Sequence, residues 1–333
     1  MNKILNYDAP IVTIFGGSGF LGRYIVRRMV KRGWRVRVAV RKPNEAIFLK
    51  TYGEVGQIEI FNCSIFNQAS VLSSITGSTA VINCVAGLLN ETVQRKFISH
   101  YVEGPELIAK LSTKLKVQKL IHISSIGASL SSNSIYAKSK AKGEGKVLEN
   151  FPNATILRPS LVFGDEDSFF NRYAAMATYS LFIPVIGQST MFQPVYVDDV
   201  AEAIERTLTQ KNIKGIFELG GPDILTHREL IKKMLLVIRR KRIIVSIPFP
   251  LANLMAIMFN TLKMISGGFF NPPFSLDNVK QLSSNNTVDH EAKSLSDLGV
   301  KSQNIDNIIP SYLYCFRPHG QYNETTQTAK RFE

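Results

Sequence analysis

The segment Phe15-Gly16-Gly17-Ser18-Gly19-Phe20-Leu21-Gly22 constrains the fold of this chain more than any other. It follows Ile11–Phe15, which is rich in apolar and β-branched residues, and leads into Phe20–Lys31, which carries apolar residues at helical spacing. A glycine-rich turn between a strand and a helix lets the backbone approach a pyrophosphate, which the positive end of the helix dipole attracts. The pattern predicts a nucleotide-binding turn rather than a turn without a ligand, with contacts from Gly16, Gly17, Ser18, Gly19, Phe20, Leu21 and Gly22.

Beyond this turn, apolar segments alternate with amphipathic ones. Strands are predicted at Trp34–Val40, Gln57–Phe61, Ala80–Ala86, Lys119–Ser124 and Ala154–Arg158, and helices at Val93–Leu115 and Tyr136–Glu149. The alternation predicts an α/β fold, a Rossmann-type doubly wound parallel sheet with a smaller C-terminal α/β lobe. We expect the Rossmann domain in residues 1–160, with its core continued near 190–220, an interleaved lobe in 161–318 and a mobile tail in 319–333.

The chain is strongly basic. It has 40 Lys and Arg residues against 26 Asp and Glu, a formal net charge of +14 over 333 residues. Such an excess indicates an acidic partner, such as a phosphorylated cofactor, an acidic protein, an anionic membrane surface or a nucleic acid. We expect no nucleic-acid partner, because no RNA- or DNA-binding motif accompanies the charge and aromatic residues do not interleave with the arginines.

The cysteines and the first ten residues indicate the cellular compartment in which the protein is expected. Cys63, Cys84 and Cys315 lie far apart without metal-ligand spacing, which predicts a reducing environment and no metal site. Met1–Pro10 contains neither the apolar core of a signal peptide nor an Arg-rich presequence. We therefore expect a cytoplasmic protein, or one on the cytosolic side of a membrane.

The basic run Arg239–Arg242 directly precedes the apolar region Ile243–Phe274. Prolines and polar residues interrupt this region, so it lacks the roughly 20 apolar residues that a membrane-spanning helix needs. Basic residues beside apolar surface are typical of docking on an anionic membrane or on a membrane-bound partner. The alternative is a core helix of the second lobe that follows a solvated basic turn.

The residues after the second predicted strand indicate which nucleotide binds. In such sites an acidic residue about 20 positions after the glycines binds the ribose 2′-hydroxyl, whereas arginine accommodates a 2′-phosphate. Here Arg41 and Lys42 occupy these positions and no carboxylate does. NADP(H) is therefore favoured over NAD(H), with Arg41 as the main phosphate ligand because its guanidinium can donate two parallel hydrogen bonds. The alternative is a solvated basic pair.

Tyr136 and Lys140 lie four residues apart on a predicted helix, hence on one face. A tyrosine with an ordinary pKa near 10 is a poor acid or base at neutral pH, and a nearby cation favours its phenolate. Ser124 and Ser125 follow the fifth strand, where a hydroxyl could hydrogen-bond a substrate carbonyl. The alternative, a surface pair without catalytic meaning, is disfavoured by its position one connection after that strand.

With these residues, the chain resembles the short-chain dehydrogenase/reductase superfamily in its extended or atypical branch. The ordered motifs are the glycine turn, Asn83–Gly87, His122–Ser125, Tyr136–Lys140 with Glu144, Leu157–Pro159 with Phe163-Gly164, Tyr196–Ala201 and Phe217–Pro222. The resemblance implies that Tyr136 donates or accepts a proton, that Lys140 lowers its pKa, and that Ser125 or Ser124 polarises a substrate. It also implies cofactor contacts from Asn62, Val85, Ala86, Gly87, Pro159, Tyr136 and Lys140.

A narrower resemblance rests on Val38–Pro43, His122–Ala128, Ser139–Glu144 and Gln193–Val197. In these segments the chain is similar to the family of NADPH-binding accessory subunits of respiratory complex I and their bacterial relatives. The resemblance implies an NADPH held as a structural element, complex I subunits or the membrane surface as partners, and a stabilising or assembly role. It also implies a position on the cytoplasmic face of the bacterial inner membrane.

Two positions depart from the pattern of extended members. Where they commonly carry Asn in a Val-Asn-Val-x-Gly stretch, this chain reads His100-Tyr101-Val102-Glu103-Gly104, and where they favour Asp after the third strand it has Asn62. The first change removes the usual local support of the active site, and the second loosens adenine recognition. Neither involves Tyr136 or Lys140.

Three functions remain open at this point. The first is the structural or assembly role. The second is an active NADP-dependent reductase, epimerase or dehydratase that acts on a nucleotide sugar or another small carbonyl substrate. The third, a scaffold without nucleotide binding, conflicts with the intact glycines.

Overall fold

A computed structural model describes residues 8–86, 98–210, 212–267, 269–270, 272–318 and 320. The chain divides into two compact units, each assembled from three segments. Unit 1 comprises Met1–Pro159, Val197–Leu219 and Val288–Lys301, and unit 2 comprises Ser160–Tyr196, Gly220–Thr287 and Ser302–Glu333. The tail predicted at 319–333 lies outside the described residues except for Gly320.

Unit 1 is built on seven parallel strands. They are β1 (Ile11–Phe15), β2 (Arg35–Val40), β3 (Ile58–Asn62), β4 (Ala80–Asn83), β5 (Lys119–Ile123), β6 (Thr155–Pro159) and β11 (Gly215–Leu219). Their order across the sheet is β11-β6-β5-β4-β1-β2-β3. The predicted fold class, a Rossmann-type doubly wound sheet, is confirmed. The strand order reverses between β1 and β4, and ligands of such sheets bind at the carboxyl ends of the strands at this switch point.

Helices flank the sheet of unit 1. They are α1 (Phe20–Lys31), α2 (Gln68–Ile75), α3 (Gly104–Lys114), α4 (Ile135–Asn150) and α6 (Val197–Thr209). Phe15, Val81, Leu120 and Ile156 of the strands form one buried apolar cluster with side chains of α2, α3 and α4. Helices α1 and α6 pack against each other. Each helix thus buries one apolar face, as its amphipathic spacing requires.

Three local expectations need correction. The strand predicted at Ala80–Ala86 ends at Asn83, whose side chain accepts a hydrogen bond from the Val85 amide and so replaces the next ladder bond. Within the helix predicted at Val93–Leu115, the described part begins at the helical Ile98, passes through the π-helical segment Ser99–Glu103 and continues as α3, whereas 93–97 lie outside the described residues. Strand β11 was not predicted as a strand, because the charged Glu218 interrupts its apolar pattern.

Unit 2 has a separate apolar core and three two-stranded sheets. Its strands are β7 (Val162–Phe163), β8 (Phe182–Ile186), β9 (Met191–Phe192), β10 (Val195–Tyr196), β12 (Leu225–Thr226) and β13 (Ile243–Ile247). Its helices are α5 (Phe170–Tyr179), α7 (His227–Val237), α8 (Phe249–Ile265), α9 (Leu276–Leu282), α10 (Ile305–Ile308) and α11 (Pro310–Leu313). The core joins α5, α7, α10, α11 and β8. Among the described helices, none has the length and apolar character to cross a bilayer.

A buried histidine anchors the core of unit 2. His227 contacts the rings of Phe169, Tyr173 and Phe192, with its Nδ1 at 3.0 Å from the Ile186 carbonyl oxygen and its Nε2 at 3.2 Å from the Tyr173 hydroxyl. Burial lowers the pKa of His227 to about 4, so the ring is neutral at physiological pH. The neutral ring donates from Nδ1 to the carbonyl and accepts from the hydroxyl. This histidine therefore serves the packing of the unit.

An ion-pair cluster joins α1 to α6 within unit 1. The guanidinium of Arg28 donates to both carboxylate oxygens of Asp198, at 2.9 and 2.8 Å, and to Glu205 at 3.0 Å. Glu205 is buried and also accepts from Arg32. Because an incompletely paired buried carboxylate is costly, Arg28 stabilises the packing of α1 against α6.

We expect Arg28→Met to lower the free energy of unfolding by about 2 kcal/mol, because it removes the bidentate partner of Asp198 and leaves the buried Glu205 with Arg32 alone. Arg27→Met is the matched control on the same helix, since the Arg27 guanidinium is exposed and stacks on the Tyr24 ring. Chemical denaturation at neutral pH measures both changes. An equal loss in the two variants would contradict the role given to Arg28.

Candidate dinucleotide site

The glycine turn, residues Gly16–Gly22, lies where β1 ends beside its two neighbouring strands. Gly16 has a φ of +78°, donates its N–H to the Ala39 carbonyl at 3.2 Å, and would place a Cβ 3.1 Å from the Cys84 carbonyl oxygen. A Cβ on Gly22 would lie 2.3 Å from the Gly16 carbonyl oxygen. Side chains are thus excluded at both positions, and the backbone forms the surface that a ligand meets.

The amino end of α1 suits an anion. Gly19 caps the helix in an extended conformation without a side-chain hydrogen bond, and the first turn contains no acidic residue. Arg23 donates to the carbonyl oxygens of Ser18 and Gly19, which brings a cation beside the turn. Free helical N–H groups, the helix dipole and a nearby guanidinium together fit a pyrophosphate. Phe20 and Leu21 are half-buried and fix the first helical turn.

Arg41, Lys42 and Asn62 are exposed at the carboxyl ends of β2 and β3, where Val40 pairs with Asn62 in the sheet. The Lys42 ammonium donates to the Glu45 carboxylate at 2.7 Å, which partly offsets its charge. Within the described residues no ion pair is formed by Arg41. The sheet therefore brings these three side chains to the same edge as the glycine turn. Of the two cations there, Lys42 is paired with a carboxylate, and Arg41 forms no ion pair with a described residue.

The segment after β4 packs directly against the turn. The Cys84 amide donates to the Phe15 carbonyl at 3.1 Å, and the Val85 amide is held by the Asn83 side chain. Ala86 is exposed, and Gly87, also predicted to contact the cofactor, lies outside the described residues. Pro159 ends β6 and accepts a hydrogen bond from the Ile126 amide at 3.1 Å. These backbone contacts fix the predicted cofactor-lining positions at neighbouring strand ends.

Lys140 lies on the inward face of α4 and is only 3% exposed. Its ammonium donates to the Ile123 carbonyl at 3.0 Å and lies 4.8 Å from the Tyr101 ring centroid and 5.9 Å from that of Tyr136. Burial lowers the pKa of Lys140 to about 8, although the negative charge of Glu144 opposes the shift. The lysine is therefore charged at neutral pH and close to losing its proton under mildly basic conditions.

Ser124 and Ser125 follow β5. The Ser124 amide donates to the Leu157 carbonyl at 2.7 Å, which fixes the backbone. Both hydroxyl oxygens are buried, and neither has a hydrogen-bond partner among the described residues. Since buried hydroxyls are usually paired, two unpaired ones beside the end of β5, whose Ile123 carbonyl accepts from Lys140, are suited to a polar ligand atom. The structure leaves both serines as candidates.

A row of buried charges continues inward from Lys140. Both carboxylate oxygens of Glu144 accept from Arg158, at 2.9 and 2.6 Å, and Arg158 also donates to Glu218 at 3.3 Å. His122 pairs its Nδ1 with the Asn83 amide nitrogen at 3.1 Å. Burial, aided by the charge of Lys140, lowers the pKa of His122 to about 3, so its ring is neutral. The bidentate pair fixes α4 against β6, and His122 adds no competing charge.

Sequence reasoning did not include Tyr101 or Gly143 among the site residues. Tyr101 is 2% exposed, and its ring meets that of Tyr136 edge to face at a centroid distance of 5.3 Å. A Cβ on Gly143 would lie 1.8 Å from the Tyr101 carbonyl oxygen. The signals were a tyrosine at an expected asparagine position and a glycine inside a helix, which marks close backbone approach.

Among the described residues no group of three or more His, Cys, Asp or Glu side chains could hold a metal ion. The three cysteines form no disulfide. The site thus consists of a glycine turn, a basic strand end, and Tyr136 and Lys140 with two unpaired serines. Such an arrangement can hold an anionic dinucleotide and move a proton at a tyrosine hydroxyl.

We expect Gly143→Ala to destabilise the protein by about 1–3 kcal/mol and to weaken dinucleotide binding, because the added methyl group would push α4 away from Tyr101. Gly145→Ala is the matched control, since no heavy atom lies within 4 Å of its added Cβ and alanine is the better helix former. Thermal unfolding and NADPH fluorescence titration compare the two. Equal effects would mean that α4 does not need this close contact.

Comparisons with known proteins identify the family and the fold. The sequence model of the NAD dependent epimerase/dehydratase family matches residues 12–220. Among solved structures, the fold is similar to that of UDP-glucose 4-epimerase from Thermus thermophilus in complex with NAD, with a TM-score of 0.67 and 18% identity over 92% of this chain and 98% of that one. At this identity the likeness shows the fold alone.

Two relatives are similar over nearly the whole chain. The mitochondrial NADH-ubiquinone oxidoreductase 40 kDa subunit of Neurospora crassa is 30% identical over 96% of this chain and 82% of its own length. The mitochondrial NADH dehydrogenase [ubiquinone] 1 alpha subcomplex subunit 9 of Arabidopsis thaliana is 33% identical over 96% of this chain and 81% of its own. The chain therefore belongs to the NAD dependent epimerase/dehydratase family and is a homologue of these two subunits.

Proposed function

We propose that this protein is an NADP(H)-binding accessory or assembly factor of the respiratory NADH:quinone oxidoreductase, complex I, and that it holds the cofactor as a structural element. The observation that carries the proposal is the similarity of 30% or more, over 96% of the chain, to two proteins named as subunits of that oxidoreductase. The similarity extends over segments of both units, which supports a common origin for the cofactor site and the partner contacts.

The choice of NADP(H) over NAD(H) rests on Arg41. A 2′-phosphate at the end of β2 would meet a guanidinium that no described carboxylate neutralises, and Asn62 on β3 adds a neutral side chain at the same edge. An NAD(H) site would favour a carboxylate there to accept from the 2′-hydroxyl. The nearest carboxylate in sequence, Glu45, pairs with Lys42.

Native membranes extracted with mild detergent test the proposal. We expect this chain to migrate with the NADH:quinone oxidoreductase, to carry about one NADPH per chain, and to leave respiratory activity intact when Tyr136 is changed to Phe, because the hydroxyl takes no part in electron transfer. Recovery only as a soluble protein with a rapidly exchanging cofactor would reject the proposal.

Arg41→Asp tests the cofactor. We expect it to weaken NADPH binding by about 10- to 100-fold, since a charge-assisted bidentate contact is lost and a like charge faces the phosphate. Binding of NADH should change little. Arg27→Asp carries the same charge change on exposed α1 surface and should leave both affinities unaltered. A parallel loss for NADH and NADPH would exclude a 2′-phosphate contact by Arg41.

A second candidate function is an active NADP-dependent reductase, epimerase or dehydratase on a nucleotide sugar or small carbonyl compound. It is favoured by the hydroxyls of Ser124 and Ser125, which have no partner among the described residues and follow the Ile123 carbonyl that accepts from Lys140. In that version the cofactor exchanges quickly and Tyr136→Phe abolishes turnover. Unaltered turnover in the variant would reject it.

We further propose that unit 2 docks on the anionic cytoplasmic face of the inner membrane. Helix α8 buries Ala252 and Ala256 and exposes a run of large apolar side chains: Leu251, Leu254, Ile257, Met258, Leu262, Met264 and Ile265. The β8–β13 pair exposes Phe182, Ile243 and Val245. This amount of exposed apolar surface is typical of an interaction site.

Cations accompany the apolar surface of unit 2. A cavity of about 660 Å³ is lined by Leu235, Leu236 and Ile244 together with six basic residues, Arg228, Lys232, Arg239, Arg240, Lys241 and Arg242, and no carboxylate of the described part of the chain lines it. Like charges at this density repel each other unless anions lie between them. Anionic lipid headgroups would supply such anions, and each basic residue close to the surface contributes about 1 kcal/mol of attraction.

Flotation with vesicles measures this docking. We expect the protein to bind vesicles of mixed phosphatidylcholine and phosphatidylglycerol more strongly than pure phosphatidylcholine. The double variant Lys232→Glu with Lys241→Glu should reduce this binding by about tenfold or more. Lys110→Glu with Lys114→Glu on exposed α3 surface is the matched control. Equal binding to both vesicle types would reject an anionic membrane as the partner of this surface.

A further inference from the structure

The charge of Lys140 has little support from ordinary partners. The ammonium is almost fully buried and donates to one neutral carbonyl, that of Ile123. Within the described residues no carboxylate oxygen forms an ion pair with it. Glu144, one helical turn away, has both oxygens engaged by Arg158. A desolvated ammonium in such surroundings loses its proton readily unless another group favours the charged form.

The ring of Tyr101 lies where it favours the charged form of Lys140. Its centroid lies 4.8 Å from the Lys140 ammonium, nearer than that of Tyr136, and its burial removes competing water. A cation over an aromatic face is attracted by the negative face of the ring, and the attraction is larger when both groups are desolvated. The edge-to-face contact with Tyr136 brings the three side chains into one cluster.

The backbone fixes the position of that ring. Tyr101 belongs to the π-helical segment Ser99–Glu103, and such segments are rare within helices and frequent at functional sites. The missing side chain of Gly143 allows α4, which carries both Tyr136 and Lys140, to approach the Tyr101 carbonyl. The close contact between Gly143 and Tyr101 therefore fixes the position of α4, which carries Lys140, relative to the Tyr101 ring.

We infer that Tyr101 is a positioning residue for Lys140: its ring keeps the buried ammonium charged and directed toward the cofactor. The cofactor contact rests on the function proposed above. Among the described residues, the other titratable or charged groups near Lys140 are Tyr136 and Glu144 on α4 and His122 on β5, with Arg158 of β6 behind Glu144.

The test is a pH titration of the ¹³Cε signal of Lys140 in the cofactor-free full-length protein. Lys140→Arg identifies the signal by its disappearance. We expect a midpoint near the value of about 8 in the unaltered protein. Tyr101→Phe, which keeps the ring, should titrate similarly, whereas Tyr101→Leu should shift the midpoint down by about one unit or more. An unchanged midpoint in Tyr101→Leu would overturn the inference, as would an equal shift in Tyr101→Phe.

A substitution that keeps the shape of the ring separates its electrostatic effect from a loss of packing. Pentafluorophenylalanine introduced at position 101 reverses the ring quadrupole at nearly constant volume, and we expect it to lower the midpoint relative to Tyr101→Phe. Equal midpoints for the two aromatic variants would overturn the inference. Both measurements are made without cofactor or oxidoreductase, so their outcome is independent of whether the proposed complex I role holds.

NADPH affinity as a function of pH provides the functional readout. Because the ammonium is lost as pH rises through its pKa, affinity in the unaltered protein should fall above about pH 8. In Tyr101→Leu the fall should begin at lower pH, and Tyr101→Phe should restore the original profile. A purely structural defect would instead lower affinity equally at every pH, and that result would reject the positioning role.

Discussion

The close approach of backbones at the glycine turn is the constraint on which the rest of unit 1 depends. A side chain at Gly22 would overlap the Gly16 carbonyl, and one at Gly16 would meet the end of β4. Because both side chains are absent, α1 starts directly above the switch point of the sheet and directs its free N–H groups there. The strand ends that carry Arg41, Asn62, Val85 and Ser124 then converge on the same edge.

Unit 1 also contains a group of buried charged side chains. Lys140, Glu144, Arg158 and Glu218 all lie within a few contacts of one another, in a region where an unpaired charge is costly. The carboxylates and Arg158 satisfy each other, which leaves the ammonium of Lys140 to a carbonyl and to aromatic rings. Burial lowers the pKa of Lys140 to about 8, and the negative charge of Glu144 opposes this shift only in part.

Much of the fold and part of the candidate site could be predicted from local sequence patterns. The largely apolar run of β1 and the helical spacing of α1 and α4 indicated the class of fold, because parallel strands buried on both faces favour such runs. The tyrosine-to-lysine spacing brought Tyr136 and Lys140 onto one helix. In contrast, β11 was missed because Glu218 is compatible with a buried strand only when Arg158 on the adjacent strand pairs with it. Lys42 was read as a phosphate ligand without its partner Glu45.

The sequence by itself determined the nucleotide-binding turn, the parallel sheet and the identity of the basic residues after β2, since each depends on residues close together in the chain. Only the tertiary structure decided that Tyr101 and Ile123 contact Lys140, because these residues reach it from two other elements, the π-helical segment and β5. It also decided that α8 leaves most of its apolar side chains exposed. An apolar pattern fixes which residues avoid water, whereas the partners that cover them depend on how the elements pack.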